Sequence, residues 1–245
     1  MKGYIRLEIL RTLRDPFYLF LAVAVPIGFY LLFAGLFGSG QHVPGTLSGN
    51  TEIMVAMAVY GGIWACLVTT GPRLANERSS GWFRHLNLLP LSPWKILIGR
   101  TLVAILFALP AMLLIYGTAV LTHGVRMPAG EWLGVIVLMW IGVWPFALLG
   151  IALGYVTNDT TSFGVTYGLY MALSAAGGLW VPPAILPTAM LTVAKTLPTY
   201  QAADLGWQIA NGQSPQWMSV LVLLGWALVF LLVATLFARR AARVR

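Results

Sequence analysis

The sequence predicts an all-α, polytopic membrane protein with six transmembrane helices and cytoplasmic N- and C-termini, and three observations carry that expectation. First, 59% of the 245 residues are hydrophobic and only 9% are charged. The mean hydropathy is +0.82, far from the balance of a soluble domain. Second, the apolar residues gather into runs of about 20, the length that crosses a hydrocarbon core of about 30 Å. Third, Lys and Arg fall almost wholly on one side of those runs, and short loops rich in these residues stay in the cytoplasm.

Residues 1–15 come first. In KGYIRLEILRTLRD, Ile5, Ile9 and Leu13 share one side at i, i+4 and i+8, and Glu8, Arg11 and Arg14 lie largely on another. Lys2 and Arg6 intrude on the apolar side. The segment therefore reads as an interfacial elbow helix whose long basic side chains reach toward lipid phosphates. Asp15 then suits an N-cap and Pro16 the first residue of a span.

The six expected spans run from about Phe17 to Gly38, Ile53 to Pro72, Ile96 to Thr122, Trp132 to Val156, Phe163 to Val181 and Met218 to Ala238. The first is expected to be retained rather than cleaved, because its apolar run is long and FGSGQHVPG lacks a small-x-small cleavage pattern. Pro26, Pro110 and Pro145 fall inside spans and predict bends. Gly150 and Gly154, and then Gly164, Gly168 and Ala172, recur at fourfold spacing, which predicts close helix packing of the fourth and fifth spans.

Between the fifth and sixth spans, residues 182–217 are too interrupted by Pro182, Pro183, Pro187 and Pro198 to form another ordinary span. They predict an outer, re-entrant segment of short helices. Within it, TYQAADLGWQIANG has the form of an amphipathic helix ending at a glycine, with Tyr200, Leu205, Trp207 and Ile209 available to the interface.

The expected topology places Lys2, Arg6, Arg11, Arg14, Arg73, Arg78, Arg84, Lys95, Arg100, Arg239, Arg240, Arg243 and Arg245 inside, leaving only Arg126 and Lys195 outside. The net charge of +8 is thus an orientation signal with attraction to anionic membrane lipid, and no nucleic acid is needed to explain it. Cys66 is the single cysteine, so no intramolecular disulfide forms; within a span it reads as a small buried hydrophobe.

The missing chemistry excludes several classes. The spans hold essentially no ionisable residue; Glu52 and Arg73 sit at span ends, and Arg100 lies close enough to one to snorkel. An ion channel or secondary carrier relaying charge through the bilayer is disfavoured on that ground. His42, His123 and Glu52 fall in or near outer loops, but no H-x-x-x-H spacing supports a metal site, and no catalytic cluster marks an enzyme. No G-x-x-x-x-G-K-[ST] phosphate loop occurs, so ATP-driven work requires a partner chain.

Residues 73–95 stand apart. ERSSGWFRHLNLLPLSP combines Glu77, Arg78, Arg84 and His85 with a break at Gly81, apolar knobs from Trp82, Phe83, Leu86, Leu88 and Leu89, and a return turn at Pro90 and Pro93. Charge alone fits a solvated inner loop. Aromatic knobs beside charges on a short helix also suit docking into a partner's cleft.

This loop, following LEILRTLRDPFYLFLAVAVPIGFYLLF and preceding a proline-containing outer segment, resembles the membrane permease subunits of type-2 ATP-binding cassette (ABC-2 type) exporters over essentially the whole chain. The resemblance implies one transmembrane domain over residues 1–245, with the 73–95 loop as a cytoplasmic coupling segment. Glu77, Arg78, Gly81, Trp82 and Arg84 are then expected in the groove of an ATPase subunit. It implies two ATPase subunits per complex, which hold ATP and Mg, and a second permease, identical or related. This chain itself is then expected to bind no cofactor or metal and to be a non-catalytic subunit. It is expected in the bacterial cytoplasmic membrane as a multi-pass permease for drugs, antibiotics or similar amphipathic small molecules, or alternatively for a peptide, lipid or lipid-linked glycan.

In that family the second and fifth spans approach the dimer axis. Here they offer Met57, Tyr60 and Trp64 at i, i+3, i+7, and Phe163, Tyr167, Tyr170 and Ser174 at i, i+4, i+7, i+11. An aromatic and Met lining suits adaptable contact with large apolar substrates. The same spacing also suits lipid-facing or helix-packing side chains.

Overall fold

The computed structural model of the chain describes residues 2–38, 47–81 and 93–243. Among these residues every regular element is a helix. α1 (Lys2–Leu13) is followed at once by α2 (Pro16–Phe37), which begins at the proline marked in the sequence as a first helical residue. α3 (Gly49–Ser79) is capped by Ser48, whose hydroxyl accepts a hydrogen bond from the Thr51 amide at 3.3 Å. α4 (Pro93–His123) carries Pro110 inside it.

α5 (Ala129–Gly142) and α6 (Trp144–Val156) form one apolar stretch interrupted at Val143. Pro145, in the first turn of α6, has no amide hydrogen to continue the helical ladder, so the break falls where the sequence predicts a bend. α7 (Asp159–Ala176), α8 (Thr188–Ala194), α9 (Pro198–Ala210) and α10 (Trp217–Arg243) complete the described chain, with a 3-10 turn at Pro183–Ile185.

Gly49–Ser79, Trp94–His123, Ala129–Val156 and Trp217–Arg240 are each long and apolar enough to cross a membrane. The other two expected spans are also helical. α2 has 22 residues, PFYLFLAVAVPIGFYLLFAGLF, of which Val23–Phe37 is a continuous apolar helix. α7 has 18 residues, about 27 Å of helix, and Thr160, Thr161, Ser162, Thr166 and Ser174 dilute its apolarity.

α3 is the axis of the bundle. Most of its residues from Thr51 to Ala75 are buried, whereas α10 turns Leu221, Leu224, Leu228, Leu232 and Leu236 outward in a continuous stripe. Such a stripe is what a helix presents to acyl chains, since no water is needed to satisfy it. With 31 residues α3 is the length of α4, about 46 Å at the helical rise, and so it overhangs a hydrocarbon core of about 30 Å.

The backbones meet where side chains vanish. A Cβ on Gly150 would stand 1.9 Å from Thr70 Oγ1, and one on Gly154 would stand 2.6 Å from the Gly71 carbonyl oxygen. These glycines of α6 therefore seat against α3, not against α7. Gly164 and Gly168 of α7 have open space around the same position. The expected close packing of the fourth span is found, with α3 as its partner, whereas Gly164 and Gly168 of the fifth span have no close neighbour among the described residues.

Residues 182–217 fold back into the bundle. Tyr200, Leu205 and Trp207 are buried rather than offered to the interface, and the Trp207 indole donates to the Glu52 carbonyl at 2.9 Å. Gly206 leaves room for Met139 and Val55, either of which would collide with a Cβ there. α9 ends at Asn211 and Gly212, the latter at φ +69°, the glycine stop expected from the sequence.

The glycine seats predict an asymmetric response to alanine. G154A is expected to lower stability by about 1–3 kcal/mol through overpacking against α3, whereas G168A is expected to leave it unchanged or raised, since a helical glycine gains from a Cβ where space is open. Thermal unfolding of the detergent-purified variants checks both.

Candidate functional site: a charged anchor at the end of α3

Successive residues of an α-helix point about 100° apart while positions four apart share a face, so nearby positions can reach several neighbouring helices. The last two turns of α3 use this fully. Arg73 reaches α1: its guanidinium donates to Thr12 Oγ1 at 2.5 Å and lies 3.4 Å from Glu8 Oε2. Asn76 reaches α7, its amide donating to Asp159 Oδ1 at 3.0 Å.

Glu77 reaches two helices at once. Its Oε1 accepts from Arg11 of α1 at 2.8 Å, and its Oε2 accepts from Arg100 of α4. Glu77 is 1% exposed and Arg100 5%, so both charges are withdrawn from water. Arg100, expected to snorkel from its span, instead turns inward and pairs with the buried Glu77 carboxylate.

Arg78 reaches α6, on another side of α3. Its Nη1 donates to the carbonyl oxygens of Gly154 at 2.8 Å, Tyr155 at 2.6 Å and Thr157 at 3.4 Å. These are the unpaired carbonyls at the C-terminus of α6, where a cation is favoured by the helix dipole. The Tyr155 ring lies 5.8 Å from the guanidinium carbon. The glycine seats make this reach possible, because Gly154 brings α6 within van der Waals contact of Gly71 and Leu74.

α1 is built around this anchor. Glu8 and Thr12, one turn apart, are each 2% exposed, while Leu7, Leu10 and Leu13 face outward. Its buried stripe is thus polar and its outer stripe apolar, the reverse of a helix on a soluble core. α1 is held by ion pairs on one side and offers leucines on the other.

α3 ends at Ser79, with the Ser80 amide bonded to the Asn76 carbonyl and Gly81 at φ +75°. That glycine turns the chain out of the helix, a conformation a Cβ would strain. Of the residues expected to couple to an ATPase, Glu77 and Arg78 are thus anchor groups within the protein, Gly81 is the turn that follows them, and Trp82 and Arg84 lie outside the described residues.

The residues expected along a pathway form one aromatic group between α3 and α7. Tyr60 stacks on Tyr170 with centroids 4.5 Å apart, and the Tyr170 hydroxyl donates to the Tyr60 carbonyl at 3.1 Å. Trp64 meets Phe163, Tyr167 and Tyr170 with centroids 6.0, 5.7 and 5.1 Å away. Met57, Tyr60, Tyr170 and Ser174 are buried within the protomer, whereas Phe163 and Tyr167 are 46% and 42% exposed. The group therefore runs from the interior to an open face of α7.

Sequence reasoning missed the partners of this anchor: Glu8, Arg11, Arg73 and Arg100. The spacing of Arg73 and Glu77 at i, i+4 was visible, as was that of Glu8 and Thr12. What a linear reading lacks is the fold that brings the three helices to one point. At the opposite end His123 bonds to Tyr30 and Thr122, at 3.0 and 2.8 Å, and no group of three or more His, Cys, Asp or Glu suited to a metal occurs among the described residues.

A bundle of long apolar helices with a cluster of charged side chains tied to the end of a central helix is that of a multi-pass membrane protein. The chain belongs to the ABC-2 family: the family model for "ABC-2 family transporter protein" matches residues 41–236. It is also 26% identical over 241 residues, 97% of this chain and 96% of the relative, to the "Putative transport permease YvfS" of Bacillus subtilis (strain 168).

Burial fixes the worth of each ion pair. E77Q is expected to destabilise the protein by about 3–5 kcal/mol, because it leaves the Arg100 charge buried without its carboxylate. R11Q removes a partner that is 36% exposed and is expected to cost about 1 kcal/mol or less. Comparative thermal unfolding in detergent reads the difference; equal losses would contradict the assignment of Glu77 chiefly to Arg100.

Proposed function

We propose that this chain is the permease subunit of an ATP-driven exporter in the bacterial cytoplasmic membrane, moving drugs, antibiotics or similar amphipathic small molecules outward. ATP and Mg are handled by two ATPase subunits, and a second permease completes the pathway. Membership of the ABC-2 family supports the transporter class, and the sequence carries no phosphate loop of its own.

One observation carries the mechanism: the last two turns of α3 bind α1, α4, α6 and α7 at once, immediately before residues 82–92. In this reading those residues dock on the ATPase, with Trp82 and Arg84 as contacts, and the charged end of the bundle faces the cytoplasm. A displacement of the docked segment then reaches four helices through short polar contacts, of which the one between Glu77 and Arg100 is fully withdrawn from water. Transport requires that the ATPase bind the two conformations of the permease with different affinity, and a rigid anchor converts that difference into movement of α3.

The pathway is assigned to the aromatic group. Phe163 and Tyr167 open onto the face that a second permease would complete, and Trp64, Tyr60, Met57, Tyr170 and Ser174 extend it inward. Aromatic and thioether surfaces bind amphipathic molecules without demanding one shape.

The test is co-expression with an ATPase from an adjacent gene. The wild-type chain is expected to co-purify with it and to confer substrate-stimulated hydrolysis. R84E is expected to reduce the recovered ATPase by about tenfold or more, the effect of losing about 1.4 kcal/mol at an interface. An undiminished complex with R84E, or transport without any ATPase, would overturn the coupling assignment.

A further inference from the structure

At the charged end a cleft of about 530 Å³ opens between α1, α3 and α7. That volume is within the range of sites that take a small molecule. Its wall on α3 follows a single face, Trp64, Val68, Pro72 and Asn76, at fourfold spacing, so it extends about 18 Å along the helix. The wall is apolar for most of that length, and Phe163 of α7 adds to the same end as Trp64. At the other end it becomes polar, with Arg14, Arg73, Thr12 and Asn76 at the mouth.

Charge is unbalanced there. Arg11, Arg14, Arg73 and Arg100 lie in or directly behind the wall, against the carboxylates of Glu8, Asp15 and Glu77. One positive charge is left over, and it remains so when Arg78 and Asp159 are added to the count. Arg14 lies exposed at the mouth, with Arg73 half-buried beside it, so the excess positive charge is accessible to an anion. Arginine is suited to the role, since its planar fork pairs with phosphate oxygens. Trp64, 5% exposed, has an indole N–H with no hydrogen-bond partner among the described residues.

We propose that this cleft holds an anionic phospholipid of the surrounding leaflet, its phosphodiester at Arg14, Arg73 and Asn76 and one acyl chain along Val68, Trp64 and Phe163. A polar mouth, a largely apolar depth and an excess of positive charge match a phosphodiester on a hydrocarbon chain. Exposed Leu7, Leu10 and Leu13 on the outer side of α1 place the mouth beside acyl chains from which such a lipid can enter. The cleft shares Trp64 and Phe163 with the pathway proposed above, but lipid retention is read without transport or an ATPase and so is decided independently of that reading.

The experiment reconstitutes the full chain into phosphatidylcholine bilayers containing brominated phosphatidylglycerol or brominated phosphatidylcholine and records tryptophan quenching. W64F in the same bilayers isolates the Trp64 component. Quenching of that component is expected to saturate at a lower fraction of phosphatidylglycerol than of phosphatidylcholine. R14Q is expected to weaken this preference about fivefold, the effect of one basic residue on anionic lipid. Equal quenching by the two lipids, or a preference that R14Q leaves intact, overturns the proposal. Excess inorganic phosphate separates the sources: the preference should persist, and its loss would show a phosphate site without a lipid tail, which also overturns it. Should W64F not be recovered, mass spectrometry of lipid retained by purified wild-type and R14Q chains gives the same decision, retention of phosphatidylglycerol by wild type alone being the supporting result.

Discussion

The buried carboxylate of Glu77, held between Arg11 and Arg100, is the interaction on which the charged end of the structure depends. An ion pair withdrawn from water gains little over an apolar replacement, but removing one member leaves the other stranded. Such a contact is therefore better at fixing arrangement than at adding stability. Here it fixes where α1, α3 and α4 meet. No other described acid lies between two of these helices in the same way, because Glu8 pairs within the α1 and α3 contact alone.

The rest of the bundle is arranged so that this point is rigid. Gly150 and Gly154 let α6 close on α3, and that closeness brings the α6 carbonyls to Arg78. Asn76 adds α7. Steric fit at the glycines and electrostatics at the helix end thus act on the same pair of helices from two adjoining levels. Farther along, the Tyr60 and Tyr170 stack and the Trp207 bond to the Glu52 carbonyl continue the attachment of α3 to its neighbours. α3 is anchored along its whole length, and the anchor is strongest where residues 82–92 begin.

Much of this was legible in the sequence because a bilayer imposes strong rules. Apolar length marked the helices, Pro16 and Pro145 marked a start and a break, and Gly212 marked a stop. The cluster at Glu77 and Arg78 stood out because charge is rare in the chain. Two things were not legible. Burial of Glu8 and Thr12 reverses the expected amphipathic sense of α1, and nothing local to α1 reveals that its polar stripe faces protein. Likewise Gly150 and Gly154 announce a close approach but not its partner, which is set by the order in which helices surround α3. Tyr200, Leu205 and Trp207 likewise show an amphipathic pattern that serves burial as well as it serves an interface.

If the end of α3 holds its neighbours as one unit, weakening Glu77 must loosen them together. Hydrogen–deuterium exchange on wild-type and E77Q protein in lipid nanodiscs measures this directly, helix by helix. A shared anchor predicts a concerted rise in exchange in α1, in the first turns of α4 and at the Gly154–Thr157 end of α6, although α6 makes no bond to Glu77 itself. A rise confined to α1 and α4, with the α6 end as protected as in wild type, would contradict it.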